Sequence, residues 1–256
     1  MANVLVEIAP PLCRVRLNRP KKRNAMDTAM WLELEEIATQ IGGNTSVRTV
    51  VVCGSGDDAF SAGADIGEMA DAIHDPKRLL ALARSVQQAT EAWAQIPQPT
   101  IAMIHGACSG GGCGLAVACD LRLAAMNATF AIPPSRLGLV YSLVDTRRLI
   151  DLVGSARTRE MLLTGRRYDA ATALTIGLVH EVVAARQLER TVDSLACRIA
   201  EAAPQAIRGM KRIINLIGAG QRLESPETTS LYEQSFLSAE FQEGVAAFVG
   251  KRKAAF

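Results

Sequence analysis

Five of the ten residues from His105 to Gly114 are glycine, and the run sits between two apolar stretches, Thr100–Ile104 and Leu115–Cys119. The first stretch reads as a buried strand and the second as a helix. The glycines therefore turn a strand into a helix inside the protein. Residues without side chains let backbone N–H groups approach a ligand closely. The first N–H groups of a helix have no internal partner and carry partial positive charge. A carbonyl oxygen set against them is stabilised most as it becomes an enolate.

Three other uses of such a loop do not fit these residues. A dinucleotide site needs G-x-G-x-x-G and an acid about twenty residues further on. Asp120 is too near, and the stretch around Val140 has no acid at that place. A phosphate-binding Walker loop needs Lys-Ser/Thr after its last glycine, and here Leu115 follows. A serine-hydrolase elbow needs glycine two residues before Ser109, where Ala107 stands.

A second loop of small residues, Ala59-Phe60-Ser61-Ala62-Gly63-Ala64-Asp65-Ile66, follows another apolar strand, Arg48–Cys53. It reads either as a ligand-binding backbone or as a tight strand-to-helix connection. Val4–Ile8 and Arg14–Leu17 read as strands joined across Pro10-Pro11, and Leu121–Ala125 and Thr129–Ile132 as further short strands. Asp27 is placed to cap a helix with the stripe Trp31, Leu34, Ile37, Ala38 and Ile41. A second stripe runs from Leu79 to Ile96. Ser155 and Asp169 read as helix caps, Gly165 and Gly177 as stops, and residues 187–256 as helical throughout. Strands alternating with helices and then a helical tail make the chain α/β.

The 256 residues carry a net charge of +2, too little for nucleic acid but compatible with a small anion held by local Lys and Arg. Cys13, Cys53, Cys108, Cys113, Cys119 and Cys197 form no C-x-x-C pair, so no metal site is expected and free thiols in a reducing compartment are. No apolar run reaches membrane length, and Met1 to Pro11 lacks the features of a signal peptide. The expected location is the cytoplasm.

Several motifs then fall in one order: Leu17-Asn18-Arg19-Pro20 with Arg23-Asn24-Ala25, Ala62-Gly63-Ala64-Asp65-Ile66, Gly110-Gly111-Gly112-Cys113, Cys119-Asp120-Leu121-Arg122, and a tail from Glu243 to Lys253. In order and spacing they resemble the enoyl-CoA hydratase/isomerase (crotonase) superfamily of fatty acid metabolism. The resemblance implies a spiral of ββα units over residues 1–197 and a helical region over 198–256 that assembles trimers or hexamers. It implies an oxyanion hole from the N–H groups of Ala64 and Gly111. It also implies coenzyme A contacts from Arg23, Ala25, Ala62, Gly63, Asp65, Ile66, Phe248 and Lys251. The expected partner is an acyl-CoA, with no separate cofactor, since coenzyme A arrives as part of the substrate.

By the same resemblance the two glutamates that hydratases use would fall at Gly114 and Pro134, and neither can carry a proton. Tyr141, Ser142 and Asp145 are the candidate substitutes. Tyr141 is either a residue of the reaction or a packing tyrosine, and Asp145 either an acid–base group or a helix cap or ion-pair partner. His105 reads as a packed core residue. Three readings stay open: a lyase or isomerase acting through an enolate, an acyl-CoA binder without turnover, and low residual hydratase activity through ordered water.

Overall fold

A computed structural model describes residues 2–256; Met1, the first residue of the stretch read for a leader, lies outside them. The chain starts with strands β1 (Val4–Ala9) and β2 (Leu12–Leu17), antiparallel and paired Val4 to Leu17. Helix α1 (Thr28–Gly43) follows, and the Asp27 side chain accepts from Met30 N at its start. Three turns of a spiral come next, each giving one strand to each of two sheets. They are β3 (Thr49–Gly54) with β4 (Ala59–Ser61), β5 (Thr100–Ile104) with β6 (Ala107–Ser109), and β7 (Leu121–Ala125) with β8 (Thr129–Ala131). Helices α2 (Ile66–Asp71) and α3 (Pro76–Gln95) close the first turn, α4 (Gly111–Ala118) the second and α5 (Leu143–Thr164) the third.

The short β9 (Tyr168–Asp169), α6 (Ala170–Thr175) and β10 (Glu181–Val183) complete the sheets. One sheet runs β1-β2-β3-β5-β7-β10 and the other β4-β6-β8-β9. Helices α7 (Ala185–Ala200), α8 (Pro204–Gly218), α9 (Pro226–Leu237) and α10 (Ala239–Val249) end the chain. This is the α/β arrangement of ββα units with a helical tail that the sequence leads one to expect.

Side chains alternate across a strand, and here the alternation separates two cores. Val50, Val52, Ala102 and Ile104 join the main core with α1, α3 and α4. Val51, Cys53, Ile101, Met103, Leu123 and Ala125 face the other way, onto Leu188, Val192 and Ala196 of α7. Each large aliphatic side chain buried there contributes about 1.5–3 kcal/mol. Residue 197, the expected end of the first region, lies within α7.

Three readings change. Helix α4 begins at Gly111, not Leu115, so the glycines form its first turn. β4 and β6, three residues each, are strands inside the two loops of small residues, where short runs of small side chains carry no strand pattern. α5 starts at Leu143, capped by Ser142, whose Oγ accepts from Asp145 N. It is interrupted at Gly154 (φ 75°), just before Ser155, and Ser155 supplies no cap. The apolar face Ile207, Met210, Ile213, Ile214 and Ile217 of α8 is open within the single chain, with Met210, Ile214 and Ile217 exposed. The buried residue of α8 is Lys211, which donates to Gln98 O at 2.9 Å and pairs with Asp120 Oδ2 at 2.6 Å. Asp169 does cap α6, and Gly165 ends α5 in the left-handed region.

Candidate functional site

The turn 19–25 and the loop 61–66 are held together by their backbones. Ala62 N donates to Arg23 O, Met26 N to Gly63 O and Asp65 N to Met26 O. Asn24 pins the join. Buried, at φ 54°, its side chain donates to Ser55 O and Ala59 O and accepts from Arg19 N. Asparagine is among the few residues that tolerate such a φ. Ser61 Oγ donates to Asn24 O and accepts from Gly63 N. The roles of Asn24 and Ser61 were not legible in the sequence, although a buried-side Asn between two loops was a possible signal.

Asp65 serves this scaffold. Its Oδ1 accepts from Gly67 N, and its Oδ2 accepts from Arg19 Nη2 at 2.8 Å and Lys22 Nζ at 2.9 Å. The Lys22 hydrogen bond, opposed by burial and aided by Arg19, holds its carboxyl down to about 2. Its carboxylate is thus occupied. Ala62 and Ile66 are exposed, Gly63 is buried, and Ala25 is half-buried beneath the turn. Arg19 and Lys22 are spent on acids, whereas Arg23 is exposed and in no ion pair among the described residues.

Gly63 (φ 97°) brings the two loops into contact: a β-carbon on it would lie 2.6 Å from Ser109 O and 3.0 Å from Gly111 N. A β-carbon on Gly111 would lie 3.7 Å from Ala64 N. The N–H groups of Ala64 and Gly111 are therefore neighbours, and among the described residues neither donates to a protein acceptor. Gly111 is the first residue of α4, so its N–H has no partner within the helix. Two unspent donors stand side by side at the positive end of a helix. The edge of the buried Trp31 ring closes the space behind Gly111, 2.9 Å from where its β-carbon would be, and Trp31 Nε1 has no acceptor among the described residues.

Tyr141 reaches this region. Its hydroxyl lies 3.3 Å from the place a β-carbon on Gly114 would occupy, one turn along α4 from Gly111. Burial pushes the phenol well above its ordinary value, and the nearby Asp145 adds to this. Ser142 and Asp145 satisfy one another. Ser142 Oγ donates to Asp145 Oδ2 at 2.7 Å and accepts from Asp145 N, while Asp145 Oδ1 pairs with Arg148 at 3.2 Å. Asp145 is thus buried as an ion-pair partner, while the cap of the helix is Ser142 and not Asp145. Pro134 opens a 3₁₀ turn, Pro134–Leu137.

Other parts of the motif set are structural. Buried Arg122 donates to Ala116 O, Cys119 O and Leu178 O, capping the end of α4. His105 is half-buried, and its imidazole is lowered chiefly by burial. Phe248 is 86% exposed, and Lys251 is exposed too. Among the described residues no hydrogen bond or ion pair joins the tail to the turn 19–25 or to either loop; its polar links run to α7, α8 and Arg48. No cluster of three or more His, Cys, Asp or Glu suited to a metal occurs among the described residues, and no helix there is long and apolar enough to cross a membrane.

Residues 7–256 match the family model described as enoyl-CoA hydratase/isomerase. The chain is 34% identical over 259 residues to a crotonyl-CoA hydratase of Syntrophomonas wolfei, covering 99% of this chain and 97% of the relative. It is 32% identical over 256 residues to a short-chain-enoyl-CoA hydratase of Clostridium acetobutylicum, covering 98% and 96%. Among solved structures, an enoyl-CoA hydratase/carnitine racemase from Magnetospirillum magneticum superposes with a TM-score of 0.94 at 33% identity, covering 100% of this chain and 96% of that one. An enoyl-CoA hydratase from Bacillus anthracis does so at 0.91 and 32%, covering 100% and 99%.

Proposed function

Because the chain belongs to the enoyl-CoA hydratase/isomerase family, we propose that it processes a coenzyme A thioester and grips the thioester oxygen between the N–H groups of Ala64 and Gly111. The observation that carries this reading is the pair of adjacent, unspent donors, one of them at a helix start. When the α-carbon loses a proton or carbon dioxide, the electron pair left behind spreads onto that oxygen. One donor of this kind stabilises the developing charge by about 2.7–4 kcal/mol.

Tyr141 acts on the same carbon. Its phenol stays protonated at neutral pH, and its hydroxyl has no hydrogen-bond partner among the described residues. It orients a departing carboxylate or returns a proton to the enolate. With Gly114 and Pro134 at the hydratase positions, lyase or isomerase chemistry suits the site better than hydration.

Arg23 and Lys251 meet the phosphates of coenzyme A, Phe248 packs against the nucleotide, and Ala25 with the loop Ala62–Ile66 lines its path. The exposed apolar side chains of α8–α10, among them Ile214, Leu237 and Phe248, suit a homotrimer or a hexamer. The cytoplasm fits a coenzyme A substrate.

Incubation with crotonyl-, malonyl-, methylmalonyl- and longer acyl-CoAs, followed by mass spectrometry, tests the reading. Conversion of at least one is expected. Tight binding of all with conversion of none would establish instead a carrier or regulator of acyl-CoA.

A further inference from the structure

The chain has two tryptophans, both fully buried, and they are used differently. Trp93 Nε1 donates to Leu34 O at 3.1 Å, so its indole pins α3 to α1. Trp31 Nε1 is buried with no acceptor among the described residues. A buried donor without a partner costs stability, and a phenylalanine or leucine would fill a core position without that cost. What the indole adds is length, and its far edge ends on Gly111. A β-carbon on Gly111 would lie 2.9 Å from Cζ2 and 3.4 Å from Cη2 of Trp31. Both atoms belong to the outer ring, which a phenylalanine lacks.

The near end of Trp31 is fixed to the loop that carries Ala64. Its backbone N–H donates to Asp27 O in the first turn of α1, and Asp27 pairs with Arg19 at 3.1 Å. Just before that turn, Met26 N donates to Gly63 O and Met26 O accepts from Asp65 N. These two bonds clamp the backbone on both sides of Ala64. One path of contacts therefore runs from Ala64 through Met26 and the start of α1 to the Trp31 ring, and from the ring to Gly111. The ring is planar and packed on all sides, so the length of this path is fixed.

Two donors stabilise one oxygen only while their spacing fits it. We infer that Trp31 is a positioning residue, acting through Gly111 to set where that N–H stands relative to the N–H of Ala64. This rests on the reading of those two groups as donors to a thioester oxygen, and adds the side chain that spaces them.

Infrared spectroscopy of bound butyryl-CoA, isotope-labelled at its thioester carbonyl carbon, tests it. Hydrogen bonds to a carbonyl oxygen lower its stretching frequency, so the band reads the two donors directly. A saturated thioester binds without reacting. In the wild type the band should move to lower frequency on binding. Trp31→Phe should lose most of that shift and leave coenzyme A affinity nearly unchanged. On any acyl-CoA that is converted, its kcat should fall by about 10²-fold at nearly constant KM, as for a group displaced by about 1 Å. Trp31→Met, which fills the space with a flexible chain, should behave in the same way. Trp93→Phe loses a hydrogen bond in the same core and should keep the full shift. A thermal melt sets a measuring temperature at which all four proteins are folded. An equal shift in both Trp31 variants would overturn the role of Trp31 and leave the donor pair standing. A loss that Trp93→Phe reproduces would mark general loosening of the core and overturn it too. Bound butyryl-CoA without any shift in the wild type would overturn the donor pair itself, and failure to bind would overturn the acyl-CoA reading.

Discussion

The Tyr141 hydroxyl stands 3.3 Å from where a β-carbon on Gly114 would be, so the tyrosine fills the space that a side chain at 114 would need. The two positions are coupled. The first turn of α4 is free of side chains on this face, and a phenol from the segment before α5 takes their place.

Tyr141→Phe should lower turnover on whichever acyl-CoA is converted and leave coenzyme A affinity nearly unchanged, the pattern of an interaction made in the transition state. The hydroxyl has no hydrogen-bond partner among the described residues, so stability should change by less than about 0.5 kcal/mol. Steady-state kinetics and a urea titration together check this. Unchanged turnover in a stable variant would remove Tyr141 from the reaction.

Gly114→Ala should lower turnover without loss of stability. The new methyl group must push the Tyr141 hydroxyl aside, while alanine in a helix is favoured over glycine by up to about 1 kcal/mol. Wild-type hydration of crotonyl-CoA should fall at least about 10²-fold below that of a relative with two glutamates, measured by loss of enoyl absorbance. Gly114→Glu alone should not restore it, because Tyr141 occupies the way into the site.

Gly63→Ala should lower turnover by about 10²–10³-fold, as expected for loss of an oxyanion donor. At φ 97° a β-carbon would sit 2.6 Å from Ser109 O and 3.0 Å from Gly111 N, forcing the loops and their donors apart. A thermal melt run alongside the kinetics separates this local shift from unfolding.

Asp65 ties acid stability to the loop. Its folded carboxyl lies at about 2, below its ordinary 3.8, so its stabilisation is complete above about pH 4 and is lost as pH falls towards 2. The expected loss is on the order of 1–2 kcal/mol, reduced because Lys22 is 57% exposed. In urea titrations from pH 5 to 2.5, Asp65→Asn should be less stable than wild type at the upper end and lose less on acidification. Parallel slopes would rule out Asp65 as the source.

Coenzyme A should bind more tightly than pantetheine, since Arg23 is free to meet phosphate. Lys251→Glu should weaken coenzyme A binding, and the loss should shrink at high salt. Equal affinities for both ligands would remove the nucleotide site.

Much of the fold was legible along the chain. The stripe from Trp31 to Ile41 has a helical period, and the short continuous apolar runs Arg48–Cys53 and Thr100–Ile104 suit buried strands; the structure has α1 on the first and buried strands at Thr49–Gly54 and Thr100–Ile104. The sequence also determined which residues have no side chain at the Gly111 turn, and that Gly114 and Pro134 hold no carboxylate. What it could not decide is which groups are already spent. Asp65 and Asp145 are both acids in candidate segments, but Arg19, Lys22 and Arg148 neutralise them, from up to 46 residues away. Arg122, in a motif that invites a chemical role, is consumed by carbonyls at the end of α4. Whether Tyr141 reaches the site depends on a contact with Gly114 made through space. Hydrogen bonds and ion pairs saturate, so a polar residue's availability is set by the partners the folded chain brings to it, and local sequence carries little of that information.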